Sequence, residues 1–247
     1  YRFYLSAVAR LHPLEIQGEL EELGPLEKGS MAHQVHYELL CALREEGVEL
    51  SCANLAPALE RLHRTIASVA QRVFDQFKPA IERVWEDGVH VLEADLRHWV
   101  RLAAQDSAWR PAHFELSFGL PGRDADEQDP ASSPAPVALM EGLQVRGSID
   151  LVERSPEGAL RATDYKTGRQ RAALGNIIGG GRHLQPVLYA LVLEKLFPTA
   201  TVHGGRLFYT TQQGGFLSVP TALNAASREA FGLVARTLRS ALESGFF

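Results

Sequence analysis

The sequence predicts an α/β fold in which strands and helices follow a helical N-terminal part. Three observations carry this. Apolar residues recur at helical spacing between residues 31 and 104, the period drops to two from about His113, and helical spacing returns between and after the later strands. The chain has 247 residues and a mass of 27.2 kDa, and with 45% hydrophobic residues it can fill a core, which excludes a disordered or fibrous protein. At about 150 residues per domain, that length admits one large domain or two small ones. No internal repeat or low-complexity tract interrupts it.

The elements follow in order. Residues 31–46 form a first helix, with Val35, Leu39, Leu40 and Leu43 on one stripe. Asn54 is placed to cap a second helix through residue 72, whose apolar face carries Leu55, Leu59, Leu62, Ile66 and Val69. A third, 79–104, opens on Pro79, which suits a first helical turn, and carries Trp85, Val89, Leu92, Leu96 and Val100. Residues 113–120 alternate as a strand. The segment 122–136, with Asp124, Asp126, Glu127 and Asp129 among Pro and Ser, reads as a solvated, mobile hairpin loop. Two strands, 143–153 and 159–166, are joined by the turn Ser155-Pro156-Glu157-Gly158. A Gly-rich connection over 175–181 leads into a helix at 184–196. Strands at 202–210 and 216–219 complete the sheet, and 222–243 form the last helix.

Composition narrows the class. Lys plus Arg number 25 and Asp plus Glu 30, a formal net charge of -5, unlike a globally basic nucleic-acid binder. Two cysteines, Cys41 and Cys52, build no disulfide framework, so a reducing, intracellular compartment is expected. No run approaches the roughly 18 unbroken apolar residues of a membrane helix. The start, Tyr-Arg-Phe-Tyr, has no signal-peptide pattern, and both ends read as the edges of a module from a longer protein.

The chemistry gathers on the paired strands. One presents Asp150 in Gly147-Ser148-Ile149-Asp150, the other Asp164 in Asp164-Tyr165-Lys166. Side chains two apart on a strand share a face, so Asp164 and Lys166 point the same way. The tight turn can bring Asp150 near Asp164, and two ionised carboxylates that close repel unless a cation lies between them. Hard oxygen ligands suit Mg²⁺ or Mn²⁺. A lysine beside such an ion can orient or deprotonate water and stabilise charge on a transferring phosphate. Glu153, three residues after Asp150, faces the other way. Glu115 reads as a solvent-facing strand residue. The glycines 179–181 do not match a phosphate-binding loop and read as a flexible connection before Arg182 and His183.

These segments resemble the PD-(D/E)XK nuclease superfamily, and within it the nuclease domains of RecB- and AddB-type helicase-nucleases. The resemblance is carried by Arg146-Gly147-Ser148-Ile149-Asp150, by Thr163-Asp164-Tyr165-Lys166-Thr167-Gly168, by Gln185-Pro186-Val187-Leu188-Tyr189, and by Lys28-Gly29-Ser30-Met31-Ala32-His33, which looks like the family's Gly-x-x-x-His helix. It implies a restriction-endonuclease-like core, a central mixed β-sheet flanked by helices, within a single nuclease domain over 1–247. The helical part would span about 1–108 and the catalytic core about 109–247. It implies metal ligation by His33 (rather than its neighbour His36), Asp150, Asp164 and the backbone carbonyl of Tyr165, with Lys166 as the catalytic lysine. Gln185 and Tyr189, on one helical face, match the family's Gln-x-x-x-Tyr pair beside the active site and the DNA. Arg146, Arg169 and Arg182 are the expected further DNA contacts.

The implied function is a Mg²⁺- or Mn²⁺-dependent deoxyribonuclease, exonucleolytic on single-stranded ends supplied by a helicase, in double-strand break repair in the bacterial cytoplasm. A catalytically silent DNA-binding scaffold and a CRISPR-associated nuclease are the alternatives on the same fold. Many AddB-like relatives carry a four-cysteine iron–sulfur cluster just outside segments resembling Tyr1–Leu5 and Gly245–Phe247. Neither Cys41 nor Cys52 occupies those places, so no cluster is expected in this chain and the termini should be less rigid. The charge also divides: residues 146–182 hold seven Lys or Arg and four acids, a local +3 within the acidic total.

Overall fold

The computed structural model describes residues 24–120, 129–175 and 177–245. The expectations for the two termini, and for Asp124, Asp126 and Glu127, lie outside the described residues.

Three helices come first: α1 (Pro25–Glu45), α2 (Leu55–Phe77) and α3 (Glu82–Gln105). Their apolar stripes meet in one core, with Met31, Val35 and Leu39 of α1 against Leu62, Ile66 and Val69 of α2 and Leu92, Leu96 and Trp99 of α3. Two helix starts differ from expectation. Lys78 closes α2 in a left-handed conformation (φ 46°), so Pro79 is spent in the connection and α3 begins at Glu82. The Asn54 side chain donates to the Glu49 carbonyl (2.9 Å) and caps nothing.

The sheet is mixed. Its strands are β1 (Arg110–Phe118), β4 (Gly147–Arg154), β5 (Leu160–Lys166), β6 (Val202–Tyr209) and β7 (Ser218–Ala222), in spatial order β1-β4-β5-β6-β7. All neighbours are antiparallel except β5 and β6, which run parallel and are joined through helix α4 (Gln185–Leu196). A separate ribbon of β2 (Val137–Ala138) and β3 (Gln144–Val145) takes the start of the expected 143–153 strand. Helix α5 (Ala225–Glu243) starts on a capping box between Asn224 and Ser227.

The sheet is covered on both faces. Phe114, Leu151, Tyr165 and Phe208 join the core of α1–α3, whereas Leu116, Ile149, Val152, Leu160 and Ala162 pack with α4 and α5. Close approach of α4 depends on Gly205, where an added Cβ would lie 2.3 Å from the Pro186 carbonyl oxygen. Asp129 corrects the picture of a wholly solvated loop. It is buried, bonds His113 (2.9 Å) and the Ala131 N–H (2.9 Å), and pairs with Arg44 (3.6 Å), tying the loop's end to β1 and α1.

Glu153 does turn away from Asp150, into a buried polar network beneath the helical layer. Its carboxylate accepts from Arg161 (two bonds of 2.9 Å), Thr163 (2.5 Å) and Arg206 (2.8 Å). Arg206 also donates to Thr163 (2.9 Å). Glu153 and Arg206 are only 4% and 7% exposed; Glu153 is the main compensation for Arg206 leaving water, while Arg161 and Arg206 together compensate Glu153. Replacing Glu153 by Ala strands the Arg206 guanidinium, and we expect a loss of about 3–5 kcal/mol in urea unfolding. A loss below about 1 kcal/mol would mean that the pair behaves as a solvated surface ion pair.

Candidate metal and catalytic site

The β4–β5 hairpin builds the centre of the site. Its register pairs Leu151 with Thr163, and one step further on Asp150 stands opposite Asp164. The Tyr165 N–H donates to Asp150 Oδ2 (2.7 Å), fixing that carboxylate. Lys166 lies on the same strand face as Asp164 and sets its ammonium 2.5 Å from Asp164 Oδ2.

Helix α1 brings His33 across the end of the sheet, with Nδ1 3.5 Å from Asp150 Oδ2. The Tyr165 backbone also hydrogen-bonds the His33 ring in the sense that favours its protonated form, so the Tyr165 carbonyl stands beside that ring. Strand β1 supplies a residue that the sequence reading left facing solvent. Glu115, opposite Asp150 in the β1–β4 register, is half-buried and accepts from Ser148 Oγ (2.8 Å). Its φ of 48° is left-handed backbone in mid-strand, a conformation that costs a non-glycine residue about 1–3 kcal/mol.

His33, Glu115 and Asp150 each offer a ligand atom, and these atoms lie within 4.8 Å of one another. Ligands about 2.1 Å from a small divalent cation lie about 3–4 Å apart, so the donor set fits an ion of that kind. The electrostatics fit as well. Burial, and then repulsion from Asp164, push the Asp150 carboxyl well above the usual carboxylate range. Burial raises Asp164 too, although the Lys166 ammonium opposes it. Burial holds His33 below its ordinary value, leaving a neutral imidazole with a lone pair to donate.

From α4, Gln185 hydrogen-bonds the Tyr189 hydroxyl, and burial with the charges of Asp164 and Asp150 raises the Tyr189 pKa. Both residues therefore border the carboxylates. Arg146, Arg169 and Arg182 are exposed, three or four residues along the chain from Asp150, Lys166 and Gln185. Among the described residues none of the three forms an ion pair. The glycines 179–181 make a turn with φ of 52, 65 and 89° before Arg182. A groove of about 490 Å³ between α1 and α2, lined by Leu26, Met31, Arg72 and Phe77, contains none of the site's carboxylates.

Sequence reasoning brought His33, Asp150, Asp164, Tyr165, Lys166, Gln185 and Tyr189 to one place, and the structure places them together. It missed Glu115. The signal was its flanking by Phe114 and Leu116 in a sheet covered on both sides, where the face opposite one core is not automatically solvent.

The family model for the PD-(D/E)XK nuclease superfamily matches residues 1–246. No curated protein matches the chain.

The raised carboxyls make stability depend on pH. Folded Asp150 and Asp164 keep protons that the unfolded chain has already released, so the metal-free protein loses stability as pH rises above the ordinary carboxylate range. We expect Mn²⁺ to offset this near neutral pH, by about 2.7 kcal/mol at a hundredfold excess over its Kd. Asp150→Asn should shrink the wild-type pH loss to the part that buried Asp164 contributes, and should weaken the response to the ion. Thermal melts at two pH values, in EDTA and in Mn²⁺, check this; an Asp150→Asn protein stabilised as much as wild type would place the ion elsewhere.

Proposed function

The chain belongs to the PD-(D/E)XK nuclease superfamily, a group of metal-dependent nucleases, and from that premise we propose that it hydrolyses DNA phosphodiester bonds at the Asp150–Asp164–Lys166 centre. The observation that carries this reading is the Lys166 ammonium, 2.5 Å from Asp164 and on the strand face that borders the His33–Glu115–Asp150 donors.

His33, Asp150, Glu115, Asp164 and the Tyr165 carbonyl are the residues that would hold Mg²⁺ or Mn²⁺, oxygen and imidazole donors suiting either. When bound, such an ion supplies charge stabilisation to a phosphate oxygen and acidity to a coordinated water. The protein's own groups do the rest. Lys166 donates hydrogen bonds to the attacking water or to the phosphate and offsets the charge that develops there. The Tyr165 N–H keeps Asp150 from rotating away. Gln185, bonded to Tyr189, presents polar groups at the entrance to the carboxylates, where they can hold the scissile strand. Exposed Arg146, Arg169 and Arg182 are available to neighbouring phosphates, and the counterions released on contact would favour binding.

The finer reading is an exonuclease of the RecB/AddB kind, acting on single-stranded ends supplied by a helicase during bacterial double-strand break repair. It is supported by the ordered motifs around His33, Asp150, Asp164 and Gln185. Intact Asp150, Asp164 and Lys166 argue for catalysis over a silent DNA-binding scaffold.

Cleavage of an end-labelled single strand in Mn²⁺ tests the assignment. Lys166→Ala should lower the rate by about 10²–10⁴-fold, with Mn²⁺ affinity changed far less. Equal activity in wild type and Lys166→Ala would remove Lys166 from the mechanism. Binding of DNA without any cleavage in either ion would favour the scaffold.

A further inference from the structure

Behind the metal donors lies a histidine that the mechanism does not use. His36, one turn along α1 from His33, is 1% exposed, and neither ring nitrogen has a hydrogen-bond partner of ordinary geometry. A buried imidazole without partners costs more than a hydrocarbon of the same size. Its surroundings indicate what it does instead. The ring lies flat on the Tyr165 ring, with centroids 4.1 Å apart and planes 15° from parallel. The Trp99 ring of α3 meets His36 edge-on at 4.3 Å and Tyr165 edge-on at 5.6 Å. Three rings from α1, α3 and β5 thus form one rigid cluster on the helical face of the sheet.

Tyr165 is the only residue between Asp164 and Lys166, its N–H holds Asp150, and its carbonyl stands beside His33. Its side chain points into the helical core while its backbone belongs to the site. Anything that fixes the ring fixes the backbone, and the stack fixes the ring to the helix that carries His33. The 6.4 Å between the His33 and Tyr165 rings is set across this contact.

We propose that His36 is a positioning residue, whose stack on Tyr165 locks α1 to β5 and thereby sets the spacing between His33 on the helix and the Asp150, Asp164 and Tyr165 donors on the hairpin. The inference rests on the metal reading given under the proposed function. It concerns a ring that touches neither the ion nor the DNA. Groups that hydrogen-bond metal ligands typically change metal affinity by about 10- to 100-fold when altered, and a ring that acts through packing should fall at the lower end of that range.

The test reads Mn²⁺ affinity of the full chain by calorimetry, at a temperature where circular dichroism shows each variant folded. His36→Leu keeps an apolar side chain but removes the ring, and should weaken Mn²⁺ binding about tenfold. His36→Phe restores a flat face and should return affinity to within about threefold of wild type. In a double-mutant cycle with Tyr165→Leu, the two losses should fall well short of adding, because either change breaks the same stack. Where His36→Leu does not fold, Trp99→Leu removes the bracing ring and should weaken Mn²⁺ likewise. Wild-type affinity in the folded His36→Leu or Trp99→Leu protein, or full additivity with Tyr165→Leu, overturns the proposal while leaving the nuclease reading in place. A wild-type chain that binds no Mn²⁺ overturns both.

Discussion

Asp150 and Asp164 stand opposite each other across a hairpin, in a corner from which most water is excluded, and their repulsion is the constraint that orders the groups around them. Two unit charges 4 Å apart repel by about 1 kcal/mol in water and about 4 kcal/mol at an effective dielectric of 20. A free chain would relieve this by moving apart, but β4 and β5 are held by their ladder. Relief has to come from charge and hydrogen bonds brought to the pair. Lys166 answers Asp164 directly, the Tyr165 N–H answers Asp150, and His33 and Glu115 complete a donor set with room for a cation. A divalent cation would supply the positive charge that this balance lacks.

The left-handed backbone at Glu115 belongs to the same balance. Strain in mid-strand persists only when the surroundings over-determine it, and here β1 is pinned on both sides of Glu115, at Phe114–Leu151 and Leu116–Ile149. A third acid beside two raised ones adds to the repulsion that a cation would relieve. The opposite face of the hairpin shows the contrasting solution. Glu153 is as buried as Asp164, yet Arg161, Arg206 and Thr163 satisfy it fully. One carboxylate is satisfied within the protein and supports the fold, while the other pair is left needing a ligand.

Much of this was legible in the sequence because it depends on local spacing. Period-two alternation put Asp164 and Lys166 on one face and Glu153 opposite Asp150, and the helical stripes of α1, α2 and α3 were readable from their leucines. What escaped depended on tertiary contact. Glu115 looked solvent-facing because alternation says which face a side chain takes, not whether that face is covered. Asp129 looked like one acid of a polar loop because nothing local reveals Arg44 and His113 closing over it. Pro79 suggested a helix start, but the left-handed Lys78 consumed it in the connection.

The division between a helical part and a sheet part, natural in the sequence, does not describe the site. His33 comes from α1, Asp150 and Asp164 from the hairpin, and Gln185 and Tyr189 from α4 on the far face of the sheet, so the donors converge from both layers. The helical layer is therefore part of the site's geometry, because α1 carries His33 and packs on the face of the sheet that Tyr165 enters. The charge follows the same geography. An overall -5 coexists with a local +3 between residues 146 and 182, where Arg146, Arg169 and Arg182 lie exposed. That local positive charge lies beside the corner that holds the carboxylates, while the remainder of the chain is net acidic. Phosphate contact made through such a local patch would depend strongly on salt, because the net charge of the whole chain opposes it.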